Sequence, residues 1–410
     1  MKKILIVEAL TSNGMELVKT AKSMGLEVHV ATHEDVFETY SSELKKMIDR
    51  SVFVDFKNKI DAIEKLVLYG RKFNIGGVIS GFEFTSDIVT EVANKLGLKS
   101  NDVEKAEYGR NKELMYSAFD SNSIHTGKHR VANSFDELEV VCTEMPLPLI
   151  VKPIANSGSC GVFKVSNSDE IMIAWEEIKK FKYEFPHGIE LPSGCIVQEY
   201  IPGREYSAEV IVQNCLPHVV TLVDKKTSGN GYFAETGHVL PFENLEILKK
   251  FKDDVNRIAT ALGVENGIMH VEFKVYDNKI YIIEAATRMA GDYIPRLLKE
   301  ARGISLAEMY INVALGQEIR TNELSNRYAS IHFLTSLESG IILSINGLEN
   351  IENDHRVLEI NIEKGKGDFI ESSHDNLARI GYVIATDDNY ASLLEFNDEF
   401  TSKIKIEIKG

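Results

Sequence analysis

Three stretches of the chain concentrate residues with chemical potential. The first, PLIVKPIANSGSCGV (148–162), places Lys152 near the end of an apolar strand and follows it with a loop holding Ser157, Gly158, Ser159 and Gly161. With no bulky side chain in the way, successive backbone N–H groups of such a loop can turn inward and wrap phosphate oxygens. It lacks the Gly-Lys-Ser/Thr ending of a Walker A loop, and an ordinary hairpin carries the same residues. The second stretch is IVQEYIPGREYSAEV (196–210). Here a strand ends in Gln198-Glu199, and the backbone of Tyr200 and Ile201 can read an adenine edge. Glu205, beyond a Pro-Gly turn, can accept from both hydroxyls of a ribose; taken alone, an exposed turn between strands is the plainer account. The third is HVEFKVYDNKIYIIEAATRMAGD (270–292). Glu272 and Glu284 lie on the two strands of one hairpin, an even number of residues apart, and are expected to face one side. Carboxylates so placed repel unless a cation lies between them, and oxygen ligands suit Mg²⁺, with Mn²⁺ as a substitute. Arg288 follows, where a planar guanidinium can clamp phosphoryl oxygens. A solvated strand face with alternating charges accounts for the same residues equally well.

The elements that must position these groups follow from hydrophobic period. Residues 1–105 alternate short apolar strands (KKILIVEA, LEVHVAT, SVFVDF, GGVISG) with helical patterns (SNGMELVKTAKSMG, IDAIEKLVLYGRKF, FTSDIVTEVANKLGL). Such alternation predicts a parallel sheet with helices on both faces. Its first turn, Ser12-Asn13-Gly14, is no GxGxxG fingerprint, so a Rossmann-like domain without a dinucleotide is expected. A helix is expected over EKAEYGRNKELMYSAFDSNS (104–123) and another over IMIAWEEIKKFKYEF (171–185), among short strands. Beyond Gly203 the strands lengthen, and Asp277-Asn278 marks a tight hairpin. Residues 316–410 read as strand-rich and hairpin-like, ending in KIKIEI of strict period two.

In their order along the chain, these segments resemble the ATP-grasp family. They comprise a lysine on a helix (Asn111-Lys112), the strand Lys152, the glycine-rich loop, the Gln-Glu-Tyr-Ile element with Glu205, and the two carboxylates. The resemblance spans essentially the whole chain and implies a mixed α/β and α+β architecture. An ATP-grasp domain (106–315) would be preceded by a Rossmann-like pre-ATP-grasp domain (1–105) and followed by a strand-rich C-terminal domain (316–410). Within the family, EAATRMAGD (284–292) and the Phe-x-Glu-x-Gly-His element ending at His238 resemble L-amino acid ligases, the dipeptide synthetases of the bacilysin-synthetase type. Ala286 departs from the pattern of many ATP-grasp enzymes, which have Asn there, so Glu272 and Glu284 would need phosphates and water to complete the metal's coordination.

The resemblance implies an ATP-dependent carboxylate–amine ligase working through an acyl phosphate. Lys112 and Lys152 would neutralise phosphates, and Glu272 and Glu284 would hold Mg²⁺. Arg288 and His238 would act at the reacting groups, and Glu83, Glu235, His238, Arg288 and Gly291 would face the substrates. Asp292 would shape one pocket. A carrier-protein thiol as acceptor, a carboxylase or purine-pathway reaction, and a non-catalytic ATP sensor are the rival expectations. A homodimer is the family-based expectation for assembly.

Composition excludes other classes. Lys plus Arg number 46 against 62 Asp plus Glu, a formal charge of -16, which counts against nucleic acid and anionic membranes as partners. Cys142, Cys160, Cys195 and Cys215 match no zinc, redox or disulfide spacing, and no apolar run reaches the length of a membrane span. A cytoplasmic protein is the expectation.

Overall fold

The computed structural model describes residues 2–229, 232–321, 324–372 and 375–410. Strands β1 (Lys3–Val7), β2 (Glu27–Thr32), β3 (Arg50–Phe53) and β4 (Gly77–Ser80) form a parallel sheet in the order β3-β2-β1-β4. Period two divides β1 between two cores. Ile4 and Ile6 pack with the helices Ser12–Ser23 and Leu306–Ala314, whereas Leu5 and Val7 pack with Lys59–Phe73 and Ser86–Lys95. Apolar groups on both pleats are what a sheet covered on both faces requires.

Strands β5 (His129–Ala132), β6 (Leu149–Pro153), β7 (Phe163–Val165) and β8 (Cys195–Glu199) make a small antiparallel sheet ordered β5-β8-β6-β7. The helices Phe135–Glu144 and Asp169–Ile178 cover it. Both helices expected in this part are shorter than the sequence suggested. The first begins at Lys112, because Asn111 Oδ1 accepts from the Glu113 and Leu114 N–H groups and caps it there. The second ends at Ile178, and residues 179–194 leave the helix for an irregular excursion.

That excursion ends at the carboxyl edge of the first sheet, where doubly wound folds bind their ligands. Here His187 fills the space, with its ring against Phe56 and Phe82 and its Nε2 2.7 Å from Glu8 Oε2. Glu8 sits in the left-handed region (φ 65°). Its carboxylate also accepts from the Ala9 N–H (2.7 Å), the Leu10 N–H (2.6 Å), the Tyr40 hydroxyl (2.5 Å) and the Thr32 hydroxyl (2.7 Å).

The largest sheet runs β13-β12-β9-β10-β11-β14-β18-β16. It is built from β9 (Arg204–Gln213), β10 (Leu216–Gly229), β11 (Tyr232–Leu240), β12 (Gly267–Tyr276), β13 (Lys279–Ala286), β14 (Tyr328–Leu334), β16 (Val357–Ile362) and β18 (Gly381–Asp387). Strands β15 (Gly340–Asn346), β17 (Phe369–Ile370) and β19 (Lys405–Lys409) form a separate three-stranded sheet. The hairpin-like reading of the C-terminal part is therefore corrected. Its strands pair with non-neighbours across two sheets, because Leu393, Phe396 and Phe400 of the helix Tyr390–Lys403 bind both sheets into one core. Among the described residues no helix is long and apolar enough to cross a membrane, and the four cysteines are free thiols.

Candidate active site

Alternation on β9 and β12 makes one face of the large sheet polar. Tyr206, Ala208, Val210, Val271 and Phe273 point into a core with the helix Leu245–Ala261. Glu205, Ser207, Glu209, His270, Glu272 and Lys274 therefore take the other face, which floors a cleft of about 370 Å³. The small antiparallel sheet roofs it, and Thr11, Ser12, Asn13 and residues 80–83 of the first domain close one end.

The expected metal pair does face one side, but not for the reason the even spacing suggested. The two-residue turn Asp277-Asn278 (φ 48° and 60°) pairs Tyr276 with Lys279. Continued without interruption, that register would set Glu272 opposite Ile283 and turn Glu284 to the far face. A β-bulge between Glu272 and Phe273 skips Ile283 and makes Glu272 and Glu284 direct partners. The freed Ile283 carbonyl accepts from the Tyr116 hydroxyl at 2.7 Å and lies 3.4 Å from Lys152 Nζ. A second bulge does the same for Glu235 and His238. Lys226 pairs with Gly237 but Thr227 pairs with Glu235, so Thr236 is skipped and residues three apart share a face.

Positive charge enters from three directions. Lys112, at the start of its helix, reaches Glu284 Oε1 at 3.0 Å and donates to the Asn156 carbonyl at 2.9 Å. Lys152 projects from β6 and donates to the Tyr116 hydroxyl at 3.0 Å. Burial draws its pKa down, against the pull of Glu284, Glu272 and Glu205. Lys225 on β10 was not picked out by motif, yet it is the hub of the floor. Its ammonium is paired with Glu235, with Glu272 Oε1 (2.5 Å) and with Glu205 Oε1 (3.3 Å). Burial alone would lower its pKa, but the three carboxylates hold it well above the usual lysine value. His270, likewise unanticipated, bridges Glu209 (2.8 Å) and Glu272 (3.2 Å). Burial opposes its charging, and the two acids outweigh burial and raise it to about 9. The available signal for both was strand alternation, which assigns them to the face of Glu205 and Glu272.

Most of the expected residues converge on the cleft. Lys112, Lys152, Ser157, Gly158, Ser159, Gln198, Glu199, Tyr200, Ile201, Glu205, Glu272 and Glu284 all line it, as do Glu83, Glu235, Arg288, Gly291 and Asp292. Arg288 Nε donates to Glu83 Oε2 at 2.7 Å, which joins the third segment to the first domain. Gly161 and His238 are not brought to the wall. Gly161 (φ 76°) is buried, and a Cβ there would meet Pro153 and Phe181. His238 is 1% exposed and lies behind Asp292, with Nε2 3.1 Å from Asp292 Oδ2. Arg379 from the C-terminal part donates to both Asp292 oxygens at 2.7 Å and lies 3.5 Å over the Phe333 ring. Burial would raise the Asp292 pKa, yet the Glu235, Arg379 and His238 hydrogen bonds hold it well below the carboxylate range. Desolvation and the neighbouring Asp292 charge push Glu235, half-buried beside it, upward.

The donor chemistry suits a divalent cation in part. Glu272 and Glu284 offer hard oxygen ligands side by side, while Ala286 offers none. The three carboxylates whose oxygens converge within 4.8 Å are Glu205, Glu235 and Glu272, and the Lys225 ammonium lies among them.

An ATP-grasp domain model matches residues 145–296, and a model of the L-amino acid ligase C-terminal domain 2 matches residues 332–409. Dapdiamide A synthase of Enterobacter agglomerans is 24% identical over 96% of this chain and 93% of its own length. Alanine–anticapsin ligase of Bacillus subtilis is 23% identical, over 63% of this chain and 57% of its own length. The crystal structure of an L-amino acid ligase from Bacillus licheniformis superposes with a TM-score of 0.81 at 21% identity. It covers 100% of this chain and 99% of its own.

Proposed function

We propose that this chain, which carries an ATP-grasp domain and an L-amino acid ligase C-terminal domain, is an ATP-dependent ligase joining a carboxylate to an amine. Amino acids are its expected substrates. The observation that carries the reading is the cleft itself. Two buried lysines, Lys112 and Lys152, and the half-buried Arg288 ring a floor where Glu272 and Glu284 stand as cross-strand partners.

In this reading the nucleotide lies between the two antiparallel sheets. Gln198 to Ile201 face its base, Glu205 its ribose, and the Ser157–Ser159 loop with Lys112 and Lys152 its phosphates. Glu272 and Glu284 would hold Mg²⁺, which neutralises phosphoryl charge and polarises the transferred group. Phosphoryl transfer is mainly positioning and charge neutralisation, so no protein nucleophile is needed. The substrate carboxylate takes the γ-phosphoryl group and ADP leaves. The amine then attacks the acyl carbon and phosphate departs. Arg288, held by Glu83, stabilises the oxyanion at that carbon. Glu235 and Gly291 border the substrate end. His238 acts through Asp292 rather than by touching substrate. An acyl phosphate hydrolyses in open water, so the 156–161 loop must exclude solvent while it exists.

The test is a phosphate-release screen over pairs of amino acids and amines, with products weighed by mass spectrometry. Release that requires both partners, with an amide of the summed mass less water, is the expected result. Release driven by bicarbonate with incorporation of labelled carbon would replace the ligase reading with a carboxylase one. The cytoplasm as location and a homodimer as assembly belong to the same reading.

A further inference from the structure

The phosphate-side loop and the substrate-side carboxylate Glu235 are tied together by one residue of the C-terminal part. Asn376 opens a short 3₁₀ turn (Asn376–Ala378) and lines the cleft. Its backbone N–H donates to the Gly158 carbonyl at 3.2 Å. Its side chain grips Glu235 twice, for Oδ1 accepts from the Glu235 N–H at 2.8 Å and Nδ2 donates to Glu235 Oε2 at 2.9 Å. The same strand end receives the loop directly, because Ser159 Oγ donates to the Phe233 carbonyl at 3.0 Å. Arg379 extends the clamp, donating to the Glu235 carbonyl at 3.1 Å as well as to Asp292. The loop is also tied to Lys112 at Asn156 and, through Cys160, to Asp375 next to Asn376. The far half of the loop is thus fastened to β11 and to residues 376–379.

The geometry points to Asn376 as a positioning residue that couples closure of the 156–161 loop to the orientation of Glu235. Resting on the ligase reading for what Glu235 faces, the coupling has a definite use. The loop can seal over the nucleotide only when the substrate-side carboxylate is in place, so an acyl phosphate forms where the amine can reach it before water does. A neutral carboxamide suits this task because it offers an acceptor and a donor to one residue at once. A carboxylate of the same shape would set a like charge against Glu235 Oε2.

Two variants and two readouts test the inference. In the full chain with ADP and Mg²⁺, amide hydrogen exchange across 156–161 should slow on nucleotide binding. Asn376→Ala, which removes a hydrogen bond to a charged group, should lose about tenfold of that protection while the ADP Kd changes little. Asn376→Asp, isosteric but lacking the donor, should be at least as impaired as the alanine variant. With a substrate pair, both variants should show a fall in kcat with little change in the ATP KM, and phosphate released in excess of amide formed. Unchanged loop protection in Asn376→Ala would overturn the coupling, as would an Asn376→Asp variant matching wild type, since packing alone would then explain the residue. Failure of the wild-type chain to form any amide would instead count against the ligase reading, and the exchange comparison would still decide the role of Asn376.

Discussion

Two buried clusters in this molecule hold glutamates in opposite ways. At the edge of the first sheet, one carboxylate, Glu8, is met by two backbone N–H groups, two hydroxyls and His187. On the floor of the cleft, one ammonium, Lys225, is met by three carboxylates. In the first arrangement both oxygens of the enclosed carboxylate are engaged by the protein itself. The second leaves negative charge in surplus beside an open cleft whose wall carries seven acidic and five Lys or Arg side chains. Such a wall does not attract a polyanion by its overall field, which agrees with a chain of net charge -16. In the proposed reading, attraction would come from local arrangement, through Lys112, Lys152, Arg288 and a cation held by the paired Glu272 and Glu284. Saturation marks the structural cluster, and unbalanced charge marks the working one.

The contrast can be broken most sharply at Glu284. Glu284→Gln is expected to lower ATP turnover and amide formation by about 10³-fold or more, with an unchanged circular dichroism spectrum and melting temperature. Near-normal ligation would remove Glu284 from the metal-binding role. Next comes Lys225→Met, which strands three carboxylates without their counter-charge. It should cost about 3–5 kcal/mol of stability in denaturant titration as well as activity. Adding Glu235→Gln should recover stability but not turnover, and recovery of both would make Lys225 a purely structural residue.

Glu8→Gln tests the saturated side. Losing charge-assisted bonds from a buried site should cost about 2–3 kcal/mol, while kcat per folded molecule stays at the wild-type value. Its pH signature has a fixed sign. Burial raises the Glu8 pKa, but His187, Tyr40 and Thr32 outweigh burial and hold it below the ordinary value. The stability it contributes is therefore complete above the unfolded pKa of about 4.3 and is lost as pH falls through the lower folded value. Melting curves between neutral and acid pH should fall more steeply for wild type than for Glu8→Gln, and parallel curves would contradict the assignment. The smallest expected effect is at His238. Its alanine variant should keep ATP affinity and lose about tenfold in ligation, because His238 reaches the cleft only through Asp292. An unaltered ligation rate would remove it from the substrate side altogether.

Local readings in the sequence carried far. The alternation of strands and helices in the first domain, the Asp277-Asn278 turn and the polar pleat of β9 and β12 all follow from period and turn chemistry, because each depends on neighbours in the chain. Lysines, loop and carboxylates could be assembled into one expected site because their order resembles that of the ATP-grasp family. The even spacing of Glu272 and Glu284, however, led to the right face by the wrong route. A regular hairpin would have separated them, and only the skipped Ile283 brings them together.

What the sequence determined by itself is the strand–helix alternation of the first domain and the Asp277-Asn278 turn, since backbone sterics and side-chain periodicity act over a few residues. Tertiary structure decided the rest. It put Lys225 among three acids from three other strands, hid His238 behind Asp292, filled the first sheet's crevice with His187 from the 179–194 excursion, and carried Asn376 to the 156–161 loop from the far end of the chain. Those placements depend on bulges, charge balance and contacts between segments up to hundreds of residues apart. No short-range pattern encodes them, because the free energy that selects them exists only once the chain has folded.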